Sequence, residues 1–341
     1  MGIFALFFVM ISCATPVVKE REIISNEVKY MEASQVSAIL QTFKTTHKSN
    51  FIHLGTYTKE EEERLSNLIP LTDLYSPEFK PYLHMQPKKT KSMDYKADYS
   101  VHPEGVDLRS LATSIKEQDG PRCTAFAGVA AMETTINKFK YVQGLDLSET
   151  DAWYKYAVYS CDSFIRALSQ HKNKICDEAY YPQYGKRSQN CEKTKYAYIS
   201  NYRYLGQDTT EIIRSLNEGN PVYIGMSTPN DMVRCRPVIN PENGFARGGH
   251  ALLLLGYLPK STSTEAVLIV KNSWGNCGDS GYQYMPISML KRSGHNSAYW
   301  EIKEVNTNGD VIVPPTPTDP KCLEWKRVWW MPWKVRCVRY E

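Results

Sequence analysis

The stretch that most constrains this 341-residue chain runs from Glu117 to Phe139. Phe126, Val129, Ala130, Met132, Ile136 and Phe139 recur every three or four residues, the period that gives an α-helix one apolar face to bury. Cys123 stands in the first turn of that helix, and Gly144 offers a stop signal beyond it. A thiol at a helix N-terminus faces unpaired backbone N–H groups and the positive end of the helix dipole, and both favour the nucleophilic thiolate. Taken alone, Cys123 reads equally well as a buried apolar residue or half of a disulfide.

A cysteine nucleophile needs a base to take its proton and a third group to orient that base. His250 lies in GGHALLLLGY and Asn272 in AVLIVKNSWG, each an apolar, β-prone run that reads as a buried strand. A side-chain amide can accept from one ring N–H and fix the imidazole tautomer, leaving the other nitrogen to face the thiol. Separately, His250 reads as a core histidine and Asn272 as a turn residue. Together with Cys123 they form a nucleophile, a base and an orienter.

With VDLR (Val106 to Arg109), the Gln118 to Ala127 region, LSE (Leu147 to Glu149), GGHALLLLGY, KNSWG and GDSGY in this order, the chain resembles the papain/cathepsin family of cysteine peptidases over about Val106 to Glu304. The resemblance implies an α+β, two-lobed fold: a helical lobe carrying the nucleophile helix, a β-barrel-like lobe, and the active-site cleft between them. It implies Cys123 as nucleophile, His250 as general base and then acid, and Asn272 as the residue holding the imidazole. Gln118 would complete the oxyanion hole with the backbone N–H of Cys123. Trp274 would shield the His–Asn bond and, with Gly248 and Ala251, contribute to substrate binding. Gly248 and Ala251 are small and would leave an open pocket.

The departures cluster ahead of the nucleophile. The family carries its oxyanion Gln six residues before the Cys, followed by Gly. Here Glu117 holds the six-before position, Gln118 comes one later, and Asp119 follows it. A carboxylate aimed at a developing negative charge would raise the barrier, so Gln118 is the expected donor, across a one-residue shortening. Gly120 replaces a further Cys, Thr124 stands where Trp is usual, and GNCGDSGY is one residue short. No Gly-rich substrate-binding segment follows LSE.

Outside this region the chain divides into appendages. Gly2 to Ser12 is apolar, too short to span a bilayer, and reads as a signal-peptide core for residues 1–13, although no Lys or Arg precedes it. MISC ahead of Ala14 also resembles a lipoprotein cleavage site, which makes Cys13 the candidate lipidation residue. Leu6 excludes a myristoylation motif. Residues 14–105 read as either a pro-region or an N-terminal helical extension packed on the enzyme. Within them, helical periodicity runs from Ser25 to Thr45, Thr58 and Glu61 form a capping box, and Tyr75 to Gly105 is an extended connector. The enzyme domain covers 106–310. It has a helix capped by Ser148 and running through Ser160, a helix capped by Asp208 or Thr209 with Gly219 as its stop, and strands in PVYIGM, HALLLLGY, AVLIVKN and GYQYMPI. A Pro-rich linker, 311–320, precedes a tail, 321–341, that holds Trp325, Trp329, Trp330 and Trp333.

The net charge of +4 is mild, and no basic run points to a nucleic-acid partner. The tail alone has six basic and two acidic residues, which suits a membrane interface or an envelope polymer as well as a hairpin packed back on the enzyme. Of the nine cysteines, seven remain beside Cys13 and Cys123, so at least one is unpaired within the chain. Cys322–Cys337 is the first expected pairing, and the disulfides suit an extracytoplasmic address. No metal-ligand spacing appears, and neither cofactor nor metal is expected. The reading is a monomeric thiol peptidase acting on peptides or proteins. The alternatives are an impaired papain-like protein that binds peptide or wall polymer, and transfer or hydrolysis of non-peptide acyl groups.

Overall fold

The computed structural model describes residues 30–46, 56–69, 98–156, 174–183, 196–206, 208–293 and 298–307, with backbone alone at 322–328 and 331–340. The helices used below are α1 (Ala33–Thr46), α2 (Lys59–Ser66), α3 (Cys123–Phe139), α4 (Glu149–Tyr156) and α5 (Thr209–Asn217). The strands are β1 (Val106–Asp107), β2 (Ile175–Cys176), β3 (Tyr196–Gly206), β4 (Val222–Pro229), β5 (Phe245–Tyr257), β6 (Val267–Lys271), β7 (Tyr282–Pro286), β8 (Ala298–Thr307), β9 (Cys322–Val328) and β10 (Met331–Tyr340). The fold is α+β, as the sequence implied.

One antiparallel sheet runs β2-β3-β8-β4-β5-β6-β7, with β1 added to β5. Side chains alternate across a strand, so a strand buried on both faces feeds two cores. Along β5, Ala251, Leu253 and Leu255 join the cluster that contains α3, whereas Leu252 and Leu254 join a second cluster with Ile212, Ile213 and Leu216 of α5. β6 repeats the division, with Val267 and Ile269 on one side and Leu268 and Val270 on the other. This explains why both runs are continuously apolar rather than alternating. Tyr196–Gly206 and Ala298–Thr307, the longest pairing in the sheet, were not among the strands read from sequence. Tyr, Arg, Asn, Glu and Lys interrupt their apolar residues.

The periodicity of α3 predicted one buried face, but every residue from Cys123 to Asn137 is buried. The sheet covers one side, and α4 and the Arg109–Leu111 turn cover others. Its polar side chains are accommodated locally: Thr134 and Thr135 donate to the carbonyls of Ala130 and Ala131 at 2.8 Å. The helix ends at Phe139, with Lys140 already extended, so Gly144 lies beyond its stop. Asp208 caps α5 by accepting from the Thr210 N–H at 2.8 Å, and Gly219 follows with φ +71°. Ser148 accepts from the Asp151 N–H at the start of α4. The expected continuation to Ser160 lies outside the described residues.

A buried charge cluster ties α3, α4 and the end of β6 together. Lys116 Nζ lies 2.6 Å from Asp146, 2.8 Å from Glu149 and 3.9 Å from Glu133. Glu133 Oε1 also accepts from the Leu147 N–H at 2.7 Å, and Lys271 Nζ donates to the carbonyls of Thr113 and Ser114. Burial lowers the Lys271 pKa to about 8.

The residues ahead of the enzyme domain pack on it. In α1, Val36 and Leu40 enter the α3 cluster, and the Met31 N–H donates to Asp279 at 2.8 Å. Thr58 and Glu61 form the expected capping box of α2. That helix docks through Arg64, whose Nε donates to the Val233 carbonyl at 2.6 Å, and through Tyr57, which donates to Asn230 Oδ1 and lies under the Arg234 guanidinium. At the other terminus, β9 and β10 form a hairpin by backbone. Its side chains, and with them the expected Cys322–Cys337 pairing, lie outside the described residues, as do Cys13 and the linker.

Candidate active site

Cys123 opens α3, at the point where the helix meets β5. Its thiol receives backbone N–H groups from Ala251, Thr124 and Cys123 itself, the arrangement expected of a helix N-terminus. The residue is completely buried, however, and desolvation outweighs these donors, pushing the thiol up to about 12. A place at a helix N-terminus favours the thiolate, and burial opposes it.

Leu68 and Ile69 lie against the start of β5, beside the site. Ile69 pairs with Gly249 as an antiparallel bridge, its N–H donating to the Gly249 carbonyl at 3.0 Å and its carbonyl accepting from the Gly249 N–H at 2.8 Å. Its side chain is fully buried in the same cluster as Cys123. Leu68 lies against Gly248, where φ is +136° and an added Cβ would fall 2.7 Å from that of Leu68. Glycine at 248 therefore admits the covering segment. The space beside Gly248 is thus occupied by Leu68, and Ala251 lines a small cavity of about 20 Å³ with Ala127, Ala130 and Leu253, room for about one water.

His250 sits on β5 opposite Met226 of β4 and is fully buried. Its Nε2 lies 2.9 Å from Asn272 Oδ1, and among the described residues its Nδ1 has no hydrogen-bond partner. Burial holds the imidazole down to about 4, partly offset by the bond to Asn272. Trp274 stacks on the ring, with centroids 4.2 Å apart and planes at 17°. The indole thus lies on one face of the imidazole. The Asn272 amide is satisfied on both sides: Oδ1 also accepts from the Ser273 N–H at 2.7 Å, and Nδ2 donates to Gln283 Oε1 at 3.0 Å.

Gln118 and Glu117 diverge. Gln118 is buried, accepts from Ser273 Oγ at 2.6 Å, and donates through Nε2 to the carbonyls of Gly120 at 2.8 Å and Asn67 at 3.4 Å. Its amide N–H therefore points to the covering segment. The Glu117 carboxylate lies instead over Gly275, 3.3 Å from where a Cβ would stand. Asp119 is paired with Arg122 at 3.1 Å.

Sequence reasoning missed two features beside the site. Cys235 and Cys277 form a disulfide across 42 residues, linking the loop after β4 to the loop after Trp274. Cys176 is also disulfide-bonded. Gln283, fully buried on β7, reaches Asn272 from behind. Its one sequence signal is a glutamine inside an apolar strand, where a buried amide requires partners. Among the described residues no His, Cys, Asp or Glu cluster could hold a metal, and no helix is long and apolar enough to cross a membrane.

A model of the papain family of cysteine proteases matches residues 102–299. The cathepsin B-like protein CP2 of Giardia intestinalis is 24% identical over 226 residues, which are 56% of this chain and 67% of that protein. Among solved structures, the ragweed pollen cysteine protease Amb a 11 in its proform is similar at a TM-score of 0.52 and 19% identity, covering 80% of this chain and 89% of that one. Xylellain, a cysteine protease from Xylella fastidiosa, is similar at 0.49 and 24%, covering 61% and 90%.

Proposed function

The chain belongs to the papain family of cysteine proteases, and we propose that it cleaves peptide bonds through a thioester formed on Cys123, with His250 as base and Asn272 as orienter. The observation that carries this reading is the bond between His250 Nε2 and Asn272 Oδ1, which leaves Nδ1 with a free lone pair beside the strand that faces the thiol. With substrate in the cleft, Nδ1 takes the thiol proton and the sulfur attacks the carbonyl carbon. The Cys123 N–H and the Gln118 amide receive the oxyanion. The tetrahedral adduct collapses by breaking the C–N bond, and the imidazolium gives its proton to the leaving amine. Water, deprotonated by Nδ1, then attacks the thioester carbonyl and returns the thiol and the product acid. Each proton removed is returned, so the cycle needs no cofactor.

Residues 14–105 act, in this reading, as a pro-region. In support of it, the Asn67 carbonyl lies 3.4 Å from Gln118 Nε2, Ile69 pairs with Gly249 next to His250, and the match to the ragweed proform covers more of this chain than the family match does. The segment 1–13 would direct export, consistent with disulfides at Cys235, Cys277 and Cys176, and either Cys13 or the tail 321–341 would hold the protein at the cell envelope.

Ile69→Asp in the full chain tests both parts, because a carboxylate cannot remain in the apolar cluster. The variant should label at Cys123 with an epoxide thiol probe and hydrolyse fluorogenic peptides, and adding Cys123→Ala should abolish both. Labelling without hydrolysis of any peptide would favour the binding-protein alternative. Peptide hydrolysis that survives Cys123→Ala would refute the mechanism.

A further inference from the structure

Taking the proposed catalytic trio as given, we infer that Gln283 is a positioning residue that sets which nitrogen of His250 carries the proton. Two backbone groups here have unambiguous roles. The Arg236 carbonyl can only accept, so Gln283 presents Nε2 to it, at 2.8 Å. Gln283 Oε1 is thereby turned to Asn272, which must answer with Nδ2, at 3.0 Å. Asn272 Oδ1 then faces the Ser273 N–H, which can only donate, and His250 Nε2 at 2.9 Å. A ring nitrogen facing that oxygen carries the hydrogen, so in the neutral imidazole Nδ1 has the lone pair.

A rotated Asn272 amide would set donor against donor at Ser273 and acceptor against acceptor at Gln283, so Gln283 adds a second penalty to the one Ser273 imposes. Gln283 is itself held from two directions. Its Cγ lies 2.6 Å from where a Cβ would stand at Gly278, whose φ is +84°, so the glycine leaves room for it. The acceptor Arg236 and the wall Gly278 each follow a cysteine of the Cys235–Cys277 disulfide, which fixes the two sides of the slot relative to each other.

The test is nitrogen NMR of the His250 ring in the ¹⁵N-labelled full chain near pH 7. Wild type should show one tautomer, protonated at Nε2. Gln283→Met, which has neither donor nor acceptor of the right kind, should lose that single state, with Nδ1 moving toward the protonated position. Gln283→Glu keeps an acceptor toward Asn272 in either protonation state and should restore it. Gly278→Ala, which crowds the same side chain from outside, should shift the same signal and serves if Gln283→Met does not fold. In the Ile69→Asp background, Gln283→Met should lower kcat about tenfold at unchanged KM. A folded Gln283→Met with the wild-type tautomer, or a Gln283→Glu as impaired as Gln283→Met, overturns the inference. The tautomer readout does not depend on peptide hydrolysis. A tautomer shift in a chain that cleaves nothing would refute the proposed function and leave this assignment standing.

Discussion

Two neighbouring side chains, Glu117 and Gln118, decide whether the entrance to this site can stabilise an oxyanion. The backbone at Glu117 bridges to Trp274 while the Gln118 N–H donates to the Ser273 carbonyl at 2.8 Å, so the pair alternates like a short strand. Alternation turns the amide inward and lays the carboxylate over Gly275. This divergence of the two side chains is a direction that spacing alone cannot supply. In the Ile69→Asp background, Gln118→Ala should lower kcat by roughly 10²–10³, the usual loss for one oxyanion donor, whereas Glu117→Gln should change it less than about threefold. Steady-state kinetics on one peptide checks both, and the reverse ranking would mean that Glu117 faces the reacting carbonyl.

At the scale of one element, the segment through Leu68 and Ile69 should behave as a titratable lid. Burying Ile69 alone contributes about 1.5–3 kcal/mol, and the segment adds two backbone hydrogen bonds to Gly249. In our reading it also keeps water from His250 and Cys123, so both stay neutral while it is closed. His250 is held at about 4 when covered, against an ordinary 6.5, so the uncovered state binds more protons between those values. Covering is then fully stable above about 6.5 and weakens as pH falls toward 4. The Cys123 thiol is raised from 9 to about 12, so the uncovered state loses its proton first and covering weakens again as pH rises above about 9. The segment should be most closed between about 6.5 and 9. Hydrogen exchange at the Ile69 amide, corrected for intrinsic rate, should show roughly fifty- to a hundredfold more opening at pH 4.5 than at pH 7. His250→Gln should flatten the acidic limb. An unchanged acidic limb in that variant would place the titrating group elsewhere.

The whole molecule depends on the charge cluster under the sheet, where Lys116 is the cation shared by Asp146, Glu149 and the buried Glu133. Lys116→Met should cost about 3–5 kcal/mol, because it leaves buried carboxylates without their cation, and should lower the Tm by about 10 °C. Adding Glu149→Gln should recover part of the loss, and a Lys116→Met melt within 2 °C of wild type would show that the cluster does not need its cation. Much of this architecture was legible in the chain. The period of Phe126 to Phe139 marks a helix, the continuous runs around His250 and Asn272 mark strands buried on both faces, and the capping box at Thr58 marks the start of α2, because each is a local pattern tied to a local geometry. The sequence by itself determined which residues could be nucleophile, base and orienter. The tertiary structure alone decided that Cys123 and His250 are fully buried, that Gln283 stands behind Asn272, and that Cys235 pairs with Cys277. Desolvation and hydrogen-bond direction depend on which distant segments meet, and no local period encodes that meeting.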